Sequence, residues 1–202
     1  MKKTLVTLLA IGCSAASVFA QASVAFNNYA YYSNPSKGIV TVGSPADPHV
    51  PGQYCGNDYS VQLLWAAGSY SDLAAFLGAS PNSSTPIAFN GNPTGPAGGP
   101  FSDGAGTFDG GAITLGPYGT YTLLVQAWYN GGTYSTYAAA EAAFKNVGRS
   151  QLFPISIAAA DPPPPPADIS FNAFTVRVVP EPSSLALGGL GLAALFLLRR
   201  RS

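Results

Sequence analysis

The sequence predicts an all-β fold, an antiparallel β-sandwich carrying one short helix. Three observations point there. Charged residues make up only 9% of the chain, which holds 23 Gly and 18 Pro, a composition suited to strands and turns. Roughly five to eight short runs of β-branched and aromatic residues are separated by Gly, Pro and Asn turn signals. Strands and helices do not alternate in a βαβ pattern, which excludes a doubly wound parallel sheet.

The elements follow in chain order. Residues 1–20 have the three parts of a secretory signal peptide: a basic start at Lys2-Lys3, an apolar stretch, and a small-residue cleavage site ending at Ala20 before Gln21. The stretch is too short for a stable span. Lipidation at Cys13 is disfavoured, because Ala10 stands where a lipobox prefers Leu. Residues 23–29 open the body as a strand, with Val24 and Phe26 on one side. Residues 59–65 place Tyr59, Val61, Leu63 and Trp65 on one face at period two. Residues 72–77 are compatible with a helical turn or two, and 82–111 form a Gly/Pro/Ser-rich region with apolar touches at 87–89 and Phe108. Residues 121–129 are the strongest strand, apolar on both faces and therefore central in a covered sheet. After an Asn130-Gly131-Gly132 turn, the Ala-rich residues 135–145 form the one convincing helix, capped by Ser135 or Thr136. Residues 151–158 and 168–179 read as two last strands, and a change of phase between Phe171 and Phe174 predicts a bulge in the second. The Pro-rich loop 161–166 is a polyproline spacer of about 15 Å.

The body thus spans residues 21–179, one domain long enough to bury a core without disulfides or a metal. Only Lys37, Lys145, Arg149 and Arg177 are basic within it, against eight Asp or Glu, so it carries a net charge of about −4. With no basic patch to neutralise phosphates, nucleic acid is excluded as a partner. Cys55 is left without a partner once residues 1–20 depart, and is expected to be buried and inert.

The C-terminal end has its own order: Pro180-Glu181-Pro182, an uncharged Gly/Ala/Leu-rich span over 184–198, then Arg199, Arg200 and Arg201. As a helix the span reaches about 23 Å, marginal against a hydrocarbon core of roughly 30 Å. The arginines belong in the cytoplasm by the positive-inside rule, which agrees with an exported body. These three parts, over residues 179–201, resemble the PEP-CTERM sorting signal, which exosortases read in Gram-negative bacteria that make extracellular polysaccharide. The resemblance makes residues 180–202 the sorting signal, with a single transmembrane helix at 184–198. It implies a precursor anchored in the inner membrane until an exosortase-type enzyme cuts near the motif, after which the body reaches the cell surface or the medium. Export machinery, signal peptidase, the exosortase-type enzyme and, before processing, the membrane are the partners it implies. The body is also similar to a recurring type of PEP-CTERM protein at 59–65 (YSVQLLW), 125–129 (VQAWY), Gly148-Arg149-Ser150 and the Pro-rich loop. That likeness implies no activity.

Chemistry is sparse in the body. His49 lies in a loop bounded by Pro48 and Pro51, with no nucleophile-elbow pattern around it. Glycoside hydrolysis needs two facing carboxyl groups. The candidates are Asp47, Asp58, Asp72, Asp103, Asp109, Glu141, Asp161 and Asp168, mostly in turn contexts where Asp bonds local backbone. The run 103–111 has the oxygens and glycines of a calcium loop but not the EF-hand spacing, and reads as a Gly-rich hairpin turn. No metal or cofactor is expected. Two tyrosine groups near turns, Tyr29, Tyr31 and Tyr32, and Tyr129, Tyr134 and Tyr137, are the candidate sugar-stacking residues. The expectation is a non-enzymatic surface or matrix protein associated with extracellular polysaccharide. The alternative is a carbohydrate-binding or carbohydrate-active module at the cell surface.

Overall fold

The computed structural model of the protein describes residues 21–28, 38, 40–43, 52–91, 105–160 and 162–178. The signal peptide, the span at 184–198, His49 and the tyrosines at 29, 31 and 32 lie outside the described residues. In chain order the elements are β1 (Gln21–Asn27), β2 (Val40–Val42), β3 (Tyr59–Ala67), α1 (Leu73–Gly78), β4 (Asn82–Ser83), β5 (Ile87–Ala88), β6 (Asp109–Pro117), β7 (Gly119–Tyr129), α2 (Tyr137–Ala142), β8 (Asn146–Arg149), β9 (Phe153–Ile157), β10 (Ala167–Asp168) and β11 (Phe174–Val178). The chain is all-β, with its strands in two sheets. The small sheet has the order β10-β1-β6. The large one has the order β2-β11-β8-β7-β3-β4, with β5 also on β3 and β9 also on β7. Among the described residues no helix is long and apolar enough to cross a membrane.

The large sheet is organised on β3 and β7, antiparallel in unbroken register from Tyr59↔Tyr129 to Ala67↔Tyr121. Period-two alternation sends Tyr59, Val61, Leu63 and Trp65 from β3, and Tyr121, Leu123, Val125 and Ala127 from β7, to the inner face. There they join Ala22, Val24 and Phe26 of β1 and Leu115 of β6 in one buried core, so both sheets share it. A run of phenylalanines threads that core. Phe26 and Phe89 flank Phe108 at 4.9 and 5.7 Å between ring centroids, and Phe171 lies within 6.3 Å of Phe108, Phe153 and Phe174.

The opposite face of the same two strands is also covered, as a strand apolar on both faces requires. Phe76 of α1 packs on Leu64 and Leu124, and Tyr137 and Ala140 of α2 pack on Trp128 and Val147. Between these patches Gln126 Nε2 donates to Gln62 Oε1 at 2.9 Å, and Gln62 Nε2 donates to the Ser84 carbonyl at 2.7 Å. Two short helices are therefore present among the described residues: α1 where the sequence allowed a helical turn or two, and α2 within the one convincing helix. In α1 the cap is Asp72, whose Oδ2 accepts from the Ala75 N–H at 2.7 Å. In α2 the cap is Thr136, whose Oγ1 accepts from the Ala139 N–H. Both helices end on a left-handed residue that is not glycine, Ser80 and Phe144, each at φ 53°.

Three expectations need correction. Residues 168–179 are not one bulged strand: β10 lies beside β1 in the small sheet, and β11 lies beside β2 and β8 in the large one. The chain changes sheets between Asp168 and Phe174, and the phase change at Phe171 marks that crossing. Nor is the fold wholly antiparallel, because β10 runs parallel to β1 and β11 parallel to β2. β1 and β2 likewise lie in different sheets, and between β10 and β11 the Phe171 carbonyl accepts from the Gly38 N–H at 2.9 Å. Finally, the Gly-rich region at 82–111 contains β4, β5 and the start of β6, a nine-residue strand that its glycines conceal. Gly110 is required there, since a Cβ would come within 2.5 Å of the Phe26 ring.

Two serines interrupt the strands that flank the central pair, at the same rung. On one side Ser84 Oγ accepts from the Leu63 N–H at 3.1 Å, and the Ser84 N–H donates to the Leu63 carbonyl. On the other, Ser150 Oγ accepts from the Val125 N–H at 3.0 Å, and the Ser150 N–H donates to the Val125 carbonyl. Leu63 and Val125 are register partners. Each hydroxyl also donates to the next carbonyl in its own chain, Thr85 or Gln151. Both flanking lines, β4–β5 and β8–β9, shift register by one residue there, the count of a bulge. A serine hydroxyl thus stands in for the backbone carbonyl that a regular ladder would supply. Ser84→Ala and Ser150→Ala are each expected to lower stability by about 1–3 kcal/mol, the usual penalty for a buried N–H deprived of its acceptor. Urea unfolding of the two single variants would measure it, and a change below about 0.5 kcal/mol in both would remove the serines from this role.

Candidate functional site

Of the expected processing residues, Gln21 is described: it is the first residue of β1, exposed and paired with Pro117. Ala20, Pro180, Glu181, Pro182, Arg199, Arg200 and Arg201 lie outside the described residues. Among the tyrosines, the structure does not bring Tyr129 together with Tyr134 and Tyr137. Odd-numbered positions of β7 face inward, so Tyr129 packs against the inner core, edge-on to Tyr59 at 5.5 Å. Tyr134 and Tyr137 belong instead to the patch around Trp128 on the other face. Tyr137 is buried, edge-on to Trp128 at 6.4 Å, and the Arg149 guanidinium stacks on its ring at 4.2 Å. Tyr134 is half-buried, with its carbonyl accepting from Trp128 Nε1 and Lys145 Nζ 5.9 Å above its ring.

Two of the described carboxylates, Asp72 and Asp109, are tied to local backbone. Asp72 caps α1, and Asp109 Oδ1 accepts from the Gly111 N–H at 2.9 Å, the turn-capping role that its context predicts. Among the described residues no three His, Cys, Asp or Glu side chains gather to hold a metal. Two buried asparagines are structural in placement. Asn28 donates to the Gly38 and Gly106 carbonyls at 2.7 and 2.8 Å and accepts from the Phe108 N–H at 2.8 Å, tying three separate segments at the end of β1. Asn146 Nδ2 donates to the Tyr59 hydroxyl at 3.1 Å in the interior.

A groove of about 400 Å³ opens on the helix-covered face of the large sheet, and nothing in the sequence announces it. The connection from β3 into α1 contributes Tyr70 and Ser71, and the first residue of α1 contributes Leu73. The Ser150 bulge contributes Ser150, Gln151 and Leu152. Tyr70 is fixed from two directions. Its N–H donates to Thr122 Oγ1 at 2.9 Å, and its ring stands edge-on to Phe76 at 5.8 Å. The two segments are about eighty residues apart in sequence, so only the β3–β7 pairing and the bulge bring them together.

Cys55 is fully buried, as its isolation in the sequence led us to expect. Burial first, and the nearby Asp58 carboxylate second, push its thiol well above the ordinary value of 9.0. Burial also pushes the Tyr59 phenol above its ordinary value of 10.0, outweighing the opposing hydrogen bond from Asn146. Both groups hold their protons more tightly folded than unfolded. Their contribution to stability is therefore complete below pH 9.0 and is lost as pH rises through the folded-state values. Urea midpoints should be level up to that point and fall beyond it, and Cys55→Ala should delay the onset of the fall. A midpoint that stays level into strong alkali would contradict this. The native thiol should also resist an aromatic disulfide reagent that reacts at once with the unfolded chain.

No curated protein and no solved structure matches the chain. The sequence pattern of one family does match, over residues 178–201, and the match begins at the last residue of β11. The chain carries the PEP-CTERM protein-sorting motif, the C-terminal signal that marks an exported protein for exosortase-type processing.

Proposed function

We propose that this is a non-enzymatic surface or matrix protein of a Gram-negative bacterium, associated with extracellular polysaccharide once its sorting is complete. In this reading residues 1–20 direct export and are removed by signal peptidase. The span at 184–198 holds the precursor in the inner membrane, and an exosortase-type enzyme acts near Pro180-Glu181-Pro182. The body is the cargo, its two sheets arranged as a β-sandwich around the shared core.

The observation that carries this reading is the sorting motif at residues 178–201. The described strands agree with it: β1 (Gln21–Asn27) and β11 (Phe174–Val178) both lie within residues 21–179, the body of this reading. The engagement of Asp72 and Asp109 with backbone supports a non-catalytic body, because two of its carboxyl groups already serve as caps.

Intact-mass measurement and terminal peptide mapping of the protein from its native host test the proposal, with cell-bound and medium fractions kept apart. A mature chain starting at Gln21 and ending between Pro180 and Ser183 is expected. A chain that retains residues 185–201 in both fractions would mean a permanent anchor and would overturn the sorting step.

A further inference from the structure

The groove between the β3–α1 connection and the Ser150 bulge has a lining without a charged side chain. It consists of Tyr70, Ser71, Leu73, Ser150, Gln151 and Leu152. Its volume of about 400 Å³ falls within the roughly 300–1,000 Å³ of small-ligand sites. The apolar part is a fixed aromatic ring with two leucines. Leu73, 39% exposed, is one of two large hydrophobic side chains left this open among the described residues. An exposed leucine in a groove is an apolar surface awaiting cover. The polar part is sorted by what the fold already uses. The Ser150 hydroxyl is engaged, accepting from the Val125 N–H and donating to the Gln151 carbonyl. The Ser71 hydroxyl and the Gln151 amide are on exposed residues, and Gln151 Oε1 accepts a long contact of 3.5 Å from Asn172 Nδ2.

This lining selects its ligand by charge and by shape. A phosphate, carboxylate or ammonium placed here would lose water and find no compensating charge among the six side chains. A wholly apolar ligand would leave the serine and glutamine groups covered and unsatisfied. A pyranose ring meets both constraints. Its C–H face covers the Tyr70 ring and the leucines, and its hydroxyls bond in both directions with a hydroxyl and a primary amide. The platform is also preorganised, since Tyr70 is held by Thr122 through its backbone and by Phe76 through its ring. Bulges gather beside binding sites because they re-aim side chains, and this one turns Gln151 and Leu152 into the groove.

We propose that this groove binds a short stretch of a neutral polysaccharide, with Tyr70 as the stacking platform and Ser71 and Gln151 as the hydroxyl-reading groups. The site is distinct from the tyrosines that the sequence singled out. It rests on the proposed association with polysaccharide but not on the sorting tail, so a chain that kept residues 184–198 would bind equally.

The test is isothermal titration of the purified full-length chain in neutral detergent with three uncharged hexasaccharides, maltohexaose, cellohexaose and mannohexaose. Hexagalacturonate serves as the charged counterpart. At least one neutral hexamer is expected to bind with a Kd on the order of 1 mM or tighter, and hexagalacturonate about tenfold more weakly or not at all. Tyr70→Ala should weaken that binding by about tenfold or more, Tyr70→Phe should retain it, and Gln151→Ala should weaken it by roughly three- to tenfold. Thermal unfolding of Tyr70→Ala separates lost binding from lost fold. Gln151→Ala, an exposed change on a surface bulge, provides a second reading if that variant unfolds. Absence of binding by all three neutral hexamers overturns the proposal. So does binding unchanged in both Tyr70→Ala and Gln151→Ala, which would place the sugar elsewhere, or equal binding of hexagalacturonate.

Discussion

The rest of the structure depends on the pairing of β3 with β7. Their ladder runs without a break from Tyr59↔Tyr129 to Ala67↔Tyr121, and both faces of both strands are needed. The inner face supplies the bulk of the shared core, and the outer face supplies the ground on which α1 and α2 sit. Each fully buried aliphatic or aromatic side chain contributes about 1.5–3 kcal/mol against the entropy of ordering the chain. A slip of one residue would exchange the two faces of the strand that moved. In β7, Leu124 and Trp128 would turn into the core while Leu123 and Val125 turned toward the helices. The polar pair Gln62–Gln126 adds a directional lock, because the two amides meet only in the observed register.

Around this pair the chain economises on regular strand. The flanking lines β4–β5 and β8–β9 would each be ordinary edge or inner strands but for a serine at the middle rung. That serine keeps the central N–H satisfied while letting the strand bend away, so the sheet twists without losing a hydrogen bond on its two main members. The bend has a second effect on one side only. At Ser150 it leaves a groove, because the segment opposite is a short helix with a tyrosine in its approach.

The sequence made some of this legible and hid the rest for identifiable reasons. Residues 59–65 could be assigned from Tyr59, Val61, Leu63 and Trp65 at period two, and 121–129 from a β-branched and aromatic run that is apolar on both faces. That Ser135 or Thr136 caps α2 was equally readable, being a local hydrogen bond, and the structure selects Thr136. β6 was not, because the glycines that lower its strand signal include Gly110, which is there so that Phe26 can pack against bare backbone. The crossing of the last segment from one sheet to the other was visible only as a change of phase. Its cause, a parallel partner more than a hundred residues earlier, has no local trace. The tyrosines at 129, 134 and 137 looked like one group in sequence, and strand alternation separated them. The groove was invisible for the converse reason, since its two walls come from segments that the sequence keeps apart. Local hydrogen bonds and periodicity can be read from a chain, whereas the meeting of distant segments has to be seen.

The end of β11 sets a mechanical limit on what happens to the chain next. Phe174–Val176 are hydrogen-bonded alongside β2, and Arg177 and Val178 alongside β8, so the last residues of the body are clamped from both sides. Pro180 follows only two residues later, a reach of about 7 Å at full extension. The match to the sorting motif thus begins within the strand itself, at residue 178. Under the proposed processing, an enzyme acting at Pro180-Glu181-Pro182 has to work close against the folded body.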